Sequence, residues 1–262
     1  MLHTTKFKNT DLIARSNTMK VNILTLFPEM FNPITEDSML GRAVKNGILE
    51  INVINIRDFS DNKHNKADDY PFGGGAGMVM MPQPIMDAVK SIASPGKMIY
   101  MSPRGKVLNE EMIRSLAKEE EITILCGHYE GVDQRVLDKF GVEEVSIGDY
   151  VVTGGELPAM VLVDATARFI PGVLGSEESI EGESIYTGLL EHDQYTQPRD
   201  YEGEEVPEVL LNGNHQLIDL WRYENSLRKT KANRPDLFAK YVENLDKYEL
   251  NKKQKEILDK VK

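Results

Sequence analysis

The sequence predicts an α/β fold, a parallel sheet flanked by helices, followed by a small all-helical C-terminal domain. Three observations carry this expectation. Five short runs rich in aliphatic and β-branched residues alternate with helix-length amphipathic segments as far as residue 170. Residues 173–208 then hold 11 acidic residues against one basic residue, Arg199. Beyond them only helical periodicity remains. Strands separated by helices imply right-handed crossovers and a parallel sheet. A segment rich in Glu, Gly and Ser, with little apolar periodicity, reads as an exposed linker between two domains.

The elements follow in order. Residues 1–18 are polar and aperiodic and are expected to form a disordered extension, since a second methionine, Met19, stands directly before the first strand-like run. Strands are expected at 21–27, 49–56, 97–102, 122–127 and 144–147, each a short apolar run bounded by turn formers. Helices are expected at 34–46, stopped by Gly47, and at 82–92, 109–118, 133–140 and 157–170. After the linker come helices only, at 214–228, 235–245 and 251–261. Gly213-Asn-His215 opens the first of these with Asn214 as its N-terminal cap. The expected domains are thus 19–176 (α/β), 177–192 (linker) and 193–262 (helical).

Composition narrows the classes. With 262 residues, 40% hydrophobic and 28% charged, the chain suits a globular protein with a sizeable core. Cys126 is the single cysteine, which excludes an intramolecular disulfide framework and a cysteine-rich zinc site and favours a reducing compartment. No apolar run has the length of a membrane span or a signal-peptide core, so a cytoplasmic location is expected. The net charge of −11 argues against nucleic acid only until its distribution is considered, because residues 209–262 carry 12 basic and 8 acidic side chains. Arg222, Arg228, Lys229, Lys231 and Arg234 cluster there with Trp221 and Tyr223 interleaved. That pattern suits a nucleic-acid backbone, although a lone tryptophan is more often a core residue.

Three glycine-containing loops follow strands of the first domain: Ser102-Pro-Arg-Gly105, Cys126-Gly-His-Tyr-Glu-Gly131 and Ile147-Gly-Asp-Tyr-Val-Val-Thr-Gly-Gly-Glu156. Ligands of open α/β sheets bind outside the carboxyl ends of strands, where glycine lets backbone approach them. Together the loops suit one pocket; a lone loop of this kind more often has a glycine that merely turns a tight corner. None matches the glycine-rich dinucleotide fingerprint or the P-loop, which disfavours those sites. Asp68 to Met78 is denser still in glycine, and composition alone does not choose between a loop that orders over a ligand and a flexible crossover.

In this order the blocks Leu26-Phe-Pro-Glu-Met-Phe31, Gly41-Arg-Ala-Val-Lys-Asn-Gly47, Arg57-Asp-Phe59, Asp68 to Met78, Cys126 to Gly131, Ser146-Ile-Gly-Asp-Tyr-Val151, Gly154-Gly-Glu-Leu-Pro-Ala-Met160, Arg168-Phe-Ile-Pro-Gly-Val-Leu-Gly175 and Gly213-Asn-His215 resemble the bacterial tRNA (guanine-N1)-methyltransferases, the TrmD family. The resemblance implies a SPOUT fold, whose parallel sheet carries a deep trefoil knot. It implies S-adenosylmethionine bound at Pro103, Gly127, Tyr129, Glu130, Ile147, Gly148, Tyr150, Val152, Gly154, Gly155 and Pro158. It also implies tRNA as substrate, methylated on guanine 37, a homodimer with shared active sites, and magnesium.

The chemistry asks for a base at guanine N1, a cation near O6 and enforced proximity. The resemblance assigns the cation to Arg168 and the base to Glu183, where family members usually carry Asp. Glu183 keeps a carboxylate but adds a methylene, and Glu181 is its neighbour and rival. The resemblance implies substrate contacts at His64, Asp68 and Gly73, Gly74 and Gly75, and the basic pattern of the tail adds Arg222, Arg228 and Lys229 as contacts to the tRNA backbone. Arg135 suits an ion pair or a phosphate contact, and His128 stands where the family often has Arg. Two other readings remain open at this point: a methyltransferase of the same fold with another RNA target, and an RNA-binding knot protein without catalysis.

Overall fold

The computed structural model describes residues 18–174 and 184–262, so the expected extension up to residue 17 and both Glu181 and Glu183 lie outside the described residues. The described residues form two compact units, one on each side of the undescribed segment.

The first unit is built on a five-stranded sheet in the order β2-β1-β6-β5-β7. Its strands are β1 (Met19–Thr25), β2 (Leu49–Asn55), β5 (Lys97–Val107), β6 (Glu121–Cys126) and β7 (Glu143–Ser146), and every pairing is parallel. A further two-residue pair, β3 (Asp68–Asp69) with β4 (Val79–Met80), is antiparallel. The helices are α1 (Asn32–Glu36), α2 (Ser38–Lys45), α3 (Pro82–Ser91), α4 (Glu110–Leu116), α5 (Gln134–Phe140) and α6 (Glu156–Ala167).

Side-chain alternation along the strands sorts the core into two layers, as a sheet covered on both faces requires. Val21, Ile23, Ile99, Met101, Ile122, Ile124 and Cys126 pack with Leu40, Leu116 and Leu162 of α2, α4 and α6. On the opposite face Leu24, Met98, Tyr100 and Leu125 pack with Ile85, Val89, Val136 and Leu137 of α3 and α5. Local signals start and stop the helices. Asn109 accepts a hydrogen bond from the Met112 N–H at the head of α4, Asp133 accepts from Arg135 at the head of α5, and left-handed Gly141 ends α5.

The structure corrects the sequence expectation in three places. The single helix expected at 34–46 is two, because Asp37 is extended and Ser38 adopts φ +61°. Gly41 makes the break compact: a Cβ there would lie 2.6 Å from the Glu36 carbonyl carbon. Strand β5 does not end at Ser102. It bulges and resumes, so that Met101 and Lys106 both pair with Val145. The Ser102 to Gly105 loop is therefore a bulge within a strand, a device that re-aims side chains beside functional sites.

The third correction lies in the second unit, which is not helical throughout. A two-residue hairpin, β8 (Asp200–Tyr201) with β9 (Glu204–Glu205), precedes α7 (His215–Asn233), α8 (Pro235–Glu243) and α9 (Lys252–Val261). Gly203, at φ +89°, supplies the turn that composition alone did not flag as strand-forming. Leu189, Leu227, Phe238, Tyr241, Leu258 and Val261 form this unit's own core. Asn214 caps α7 by accepting from the Leu217 N–H, and Asn251 with Gln254 forms a capping box on α9.

Candidate functional site

Parallel strands put their carboxyl ends on one edge of the sheet, and there the three loops meet. The β5 bulge, the loop leaving β6 and the loop leaving β7 line one cavity of about 330 Å³. Of the eleven residues expected to bind a cofactor, ten line it: Pro103, Gly127, Tyr129, Glu130, Ile147, Tyr150, Val152, Gly154, Gly155 and Pro158. Gly148 is not among the lining residues. Its φ of +146° turns the chain beneath Tyr150, and its N–H is held by the Ser146 hydroxyl at 3.1 Å.

Close backbone approach makes the cradle. The Gly155 N–H donates to the Gly127 carbonyl at 2.9 Å, joining the second and third loops directly. A Cβ on Gly127 would lie 2.5 Å from the Tyr100 ring, so the glycine and the tyrosine fit as a pair. Sequence reading missed Tyr100, which looked like one more strand residue. Burial pushes its phenol up from the usual range. Tyr129 and Tyr150 stay half-exposed at the mouth, and the Tyr129 backbone takes φ +59°. Arg104, on the bulge, forms a two-pronged ion pair with Glu144 at 3.1 and 3.2 Å.

The glycine-rich segment is fastened to this rim at its far end. Glu130 N–H donates to the Met78 carbonyl and Met80 N–H to the Gly131 carbonyl, both at 2.9 Å. Gly73, Gly74 and Gly75 have φ of +88°, +78° and +121° and point into open space, a run that L side chains would not tolerate. Phe72, beside them, is fully exposed. Asp68 pairs with Met80 across β3 and β4, while His64 sits in an exposed turn with its N–H on the Asn62 side chain.

Of the other expected residues in the first unit, Arg168 and Arg135 do not line the cavity. Arg168 caps the far end of α6, about 20 Å along the helix axis from Gly155 at ~1.5 Å per residue. Arg135 forms a double hydrogen bond with Asp133 at 2.9 and 2.7 Å, which favours the ion-pair alternative. In the second unit Arg222, Arg228 and Lys229 are paired with Asp219, Glu224 and Asp193. Lys229, by its hydrogen bond, chiefly holds the Asp193 carboxyl below its ordinary value. Trp221 is half-buried, with the rings of His192 and Tyr195 each 6.2 Å from its own.

Comparison with known proteins bears on the same span. Residues 19–240 match the family described as tRNA (Guanine-1)-methyltransferase TrmD. The tRNA (guanine-N(1)-)-methyltransferase of Ruminiclostridium cellulolyticum is 57% identical over 226 residues, 85% of this chain and 97% of that protein. That of Clostridioides difficile is 55% identical over 227 residues, 85% and 98% of the two chains. The Alkaliphilus oremlandii protein of the same name is 50% identical over 253 residues, 93% and 99%. Since the matched span takes in the whole three-loop cavity and runs on into the helical unit, the chain belongs to the tRNA (guanine-1)-methyltransferase family.

Proposed function

We propose that this protein methylates N1 of guanine 37 in tRNA with S-adenosylmethionine as donor, working in the cytoplasm. The observation that carries the reading is the convergence of three glycine-bearing loops on one cavity at the carboxyl edge of the sheet. Such a cradle suits S-adenosylmethionine, because main-chain groups can reach it where no Cβ intervenes. Pro103, Gly127, Ile147, Gly154 and Gly155 would hold it, with Tyr129 and Tyr150 at the mouth. When bound, the donor supplies a methyl group on a positively charged sulfur.

The chain's own residues supply the rest. Glu183 accepts the proton that leaves guanine N1, and Arg168 faces the charge that grows on O6. The Gly73 to Gly75 loop, with Asp68 and His64, borders the incoming nucleotide, while Arg222, Arg228 and Lys229 exchange their carboxylate partners for tRNA phosphates. Exposed pairs of that kind contribute only about 0–1 kcal/mol and yield readily. Magnesium, which the resemblance also implies, has no cluster of three acidic, His or Cys ligands among the described residues, and no step here runs through it.

Two further parts of the reading concern assembly. Helix α6 is apolar nearly all round, yet Leu157 and Val161 are 51% and 48% exposed. A helix of that character is ordinarily buried, which supports a homodimer packed through α6. A second copy would also bring an Arg168 to a cavity that its own chain's Arg168 does not reach. The trefoil threading rests on the family resemblance; the return of the chain from edge strand β7 past β5 to the end of β6, marked by the Gly155 to Gly127 hydrogen bond, is a path that such threading requires.

The test is transfer of labelled methyl groups from S-adenosylmethionine to a tRNA transcript carrying guanine at position 37 and to one carrying adenine there. Label is expected in the first and not in the second. Equal labelling of both would move the target elsewhere, and none in either would leave only binding.

A further inference from the structure

Beneath the three loops lies a polar network that none of these steps uses. Glu156, the first residue of α6, is 1% exposed. A carboxylate at that depth is tolerable only when donors surround it. Thr25 Oγ1 donates to its Oε1 at 2.6 Å, and His128 Nε2 lies 2.8 Å from Oε1 and 2.7 Å from Oε2. A carboxylate only accepts, so Nε2 carries the proton. Behind Thr25, the Phe27 N–H donates to the same hydroxyl at 2.9 Å, and the Phe27 ring covers the imidazole with centroids 4.8 Å apart. The first turn of α6 adds a favourable helix end for the negative charge.

This network ties together the segments that form the cavity. His128 belongs to the second loop and lines the cavity, whereas Glu156 does not. Gly154, in the third loop, rests on the pair: its Cβ would lie 2.2 Å from His128 Cε1 and 2.6 Å from Glu156 Oε2. The His128 N–H reaches Met80 Sδ at 3.2 Å, so β4 joins as well. The other titratable group beside the carboxylate is Cys126, whose thiol is pushed well up by burial first and by the Glu156 charge second.

We propose that Glu156 is a positioning residue for the methyl donor, acting through His128 and Thr25 to hold the loops at 127–131 and 147–155 at the spacing the donor requires. The inference rests on the reading of the cavity as the donor site. A carboxylate serving only to stabilise the fold would, when removed, lower thermal stability and weaken every ligand together. One that sets the spacing of two loops acts on the ligand held between them.

The experiment measures S-adenosylmethionine affinity by calorimetry, tRNA affinity by filter binding, and thermal unfolding, for wild type, Glu156→Gln, His128→Ala and His128→Gln. Donor affinity is expected to fall by roughly tenfold or more in Glu156→Gln and His128→Ala, with tRNA affinity within about twofold of wild type. His128→Gln keeps a side-chain N–H donor and should recover most of the loss. Unchanged donor affinity in folded Glu156→Gln and His128→Ala overturns the proposal, as does a parallel loss of donor and tRNA affinity with a lowered unfolding temperature. Should Glu156→Gln fail to fold, the two His128 variants decide, since that side chain is 14% exposed. A wild-type protein that does not bind S-adenosylmethionine would instead remove the donor-site reading itself.

Discussion

At Gly155 an added Cβ would lie 2.6 Å from Cys126 Cα and 2.7 Å from the Gly127 nitrogen, main-chain atoms that cannot swing aside. Gly155→Val should therefore push the second and third loops apart and weaken S-adenosylmethionine binding at least tenfold, about 1.4 kcal/mol; calorimetry on the folded variant reads this, and unchanged affinity would take these loops out of the donor site. Residues of this kind were legible in the sequence, because glycine at a strand end is a recognisable sign of close approach. Glu156, Thr25 and Tyr100 were not: an acid at a helix start reads as a dipole partner, and strand residues read as core. Electrostatics gives a second check at this scale. The Arg234 guanidinium, hydrogen-bonded to the Asp236 carboxylate at 2.9 and 2.7 Å, chiefly holds that carboxyl at about 2 against an ordinary 3.8. A depressed carboxylate favours the folded state above its ordinary value, and that contribution fades as pH falls through the window from 3.8 to about 2. NMR titration should find the Asp236 midpoint near the lower figure, and Arg234→Ala should return it towards the upper one.

At the scale of elements, most strands and helices were readable to within a few residues, since each is a short apolar run or an amphipathic period with caps. The failures have physical causes. Asp37 and Ser38 sit where a helical period continues on paper, yet Asp37 is extended and Ser38 takes φ +61°, and Gly41 lets the two helices pack closely at the break. The bulge in β5 depends on its pairing with Val145 in another strand, which no local pattern encodes. Helix α6 bears the strongest functional claim of any element, because it runs from the cavity at Gly155 to Arg168 and leaves Leu157 and Val161 uncovered. Arg168→Ala should lower kcat by roughly two to three powers of ten while leaving S-adenosylmethionine affinity nearly unchanged, as expected of a group that acts on charge appearing in the transition state. Loss of donor binding in that variant would show that the arginine holds the fold instead.

For the molecule as a whole, the division of charge was the most informative feature of the sequence. The net acidity is concentrated in residues 173–208, while the following helices carry the basic excess. What the sequence did not reveal is that the candidate tRNA-binding cations are already engaged by Asp219, Glu224 and Asp193 within their own unit. As proposed tRNA contacts they would exchange these carboxylates for phosphates, and the counterions released from the phosphates should make binding weaken as salt rises. Glu183 belongs to the acidic segment, and its proposed role as base is tested apart from structure: Glu183→Gln should reduce single-turnover methyl transfer by roughly a hundredfold or more, whereas Glu183→Asp should keep most of it. A Glu183→Gln protein as fast as wild type at saturating tRNA would hand the role to Glu181 or Asp68.

The most direct measurement for the central claim is to incubate the purified protein with unmodified tRNA and isotopically labelled S-adenosylmethionine, digest the product, and locate the labelled base by mass spectrometry. The reading predicts one labelled methyl per tRNA, on N1 of the guanine at position 37, lost when Gly155→Val protein is used at donor concentrations that saturate wild type. Label on another nucleotide, or binding of tRNA with no label transferred, would contradict it.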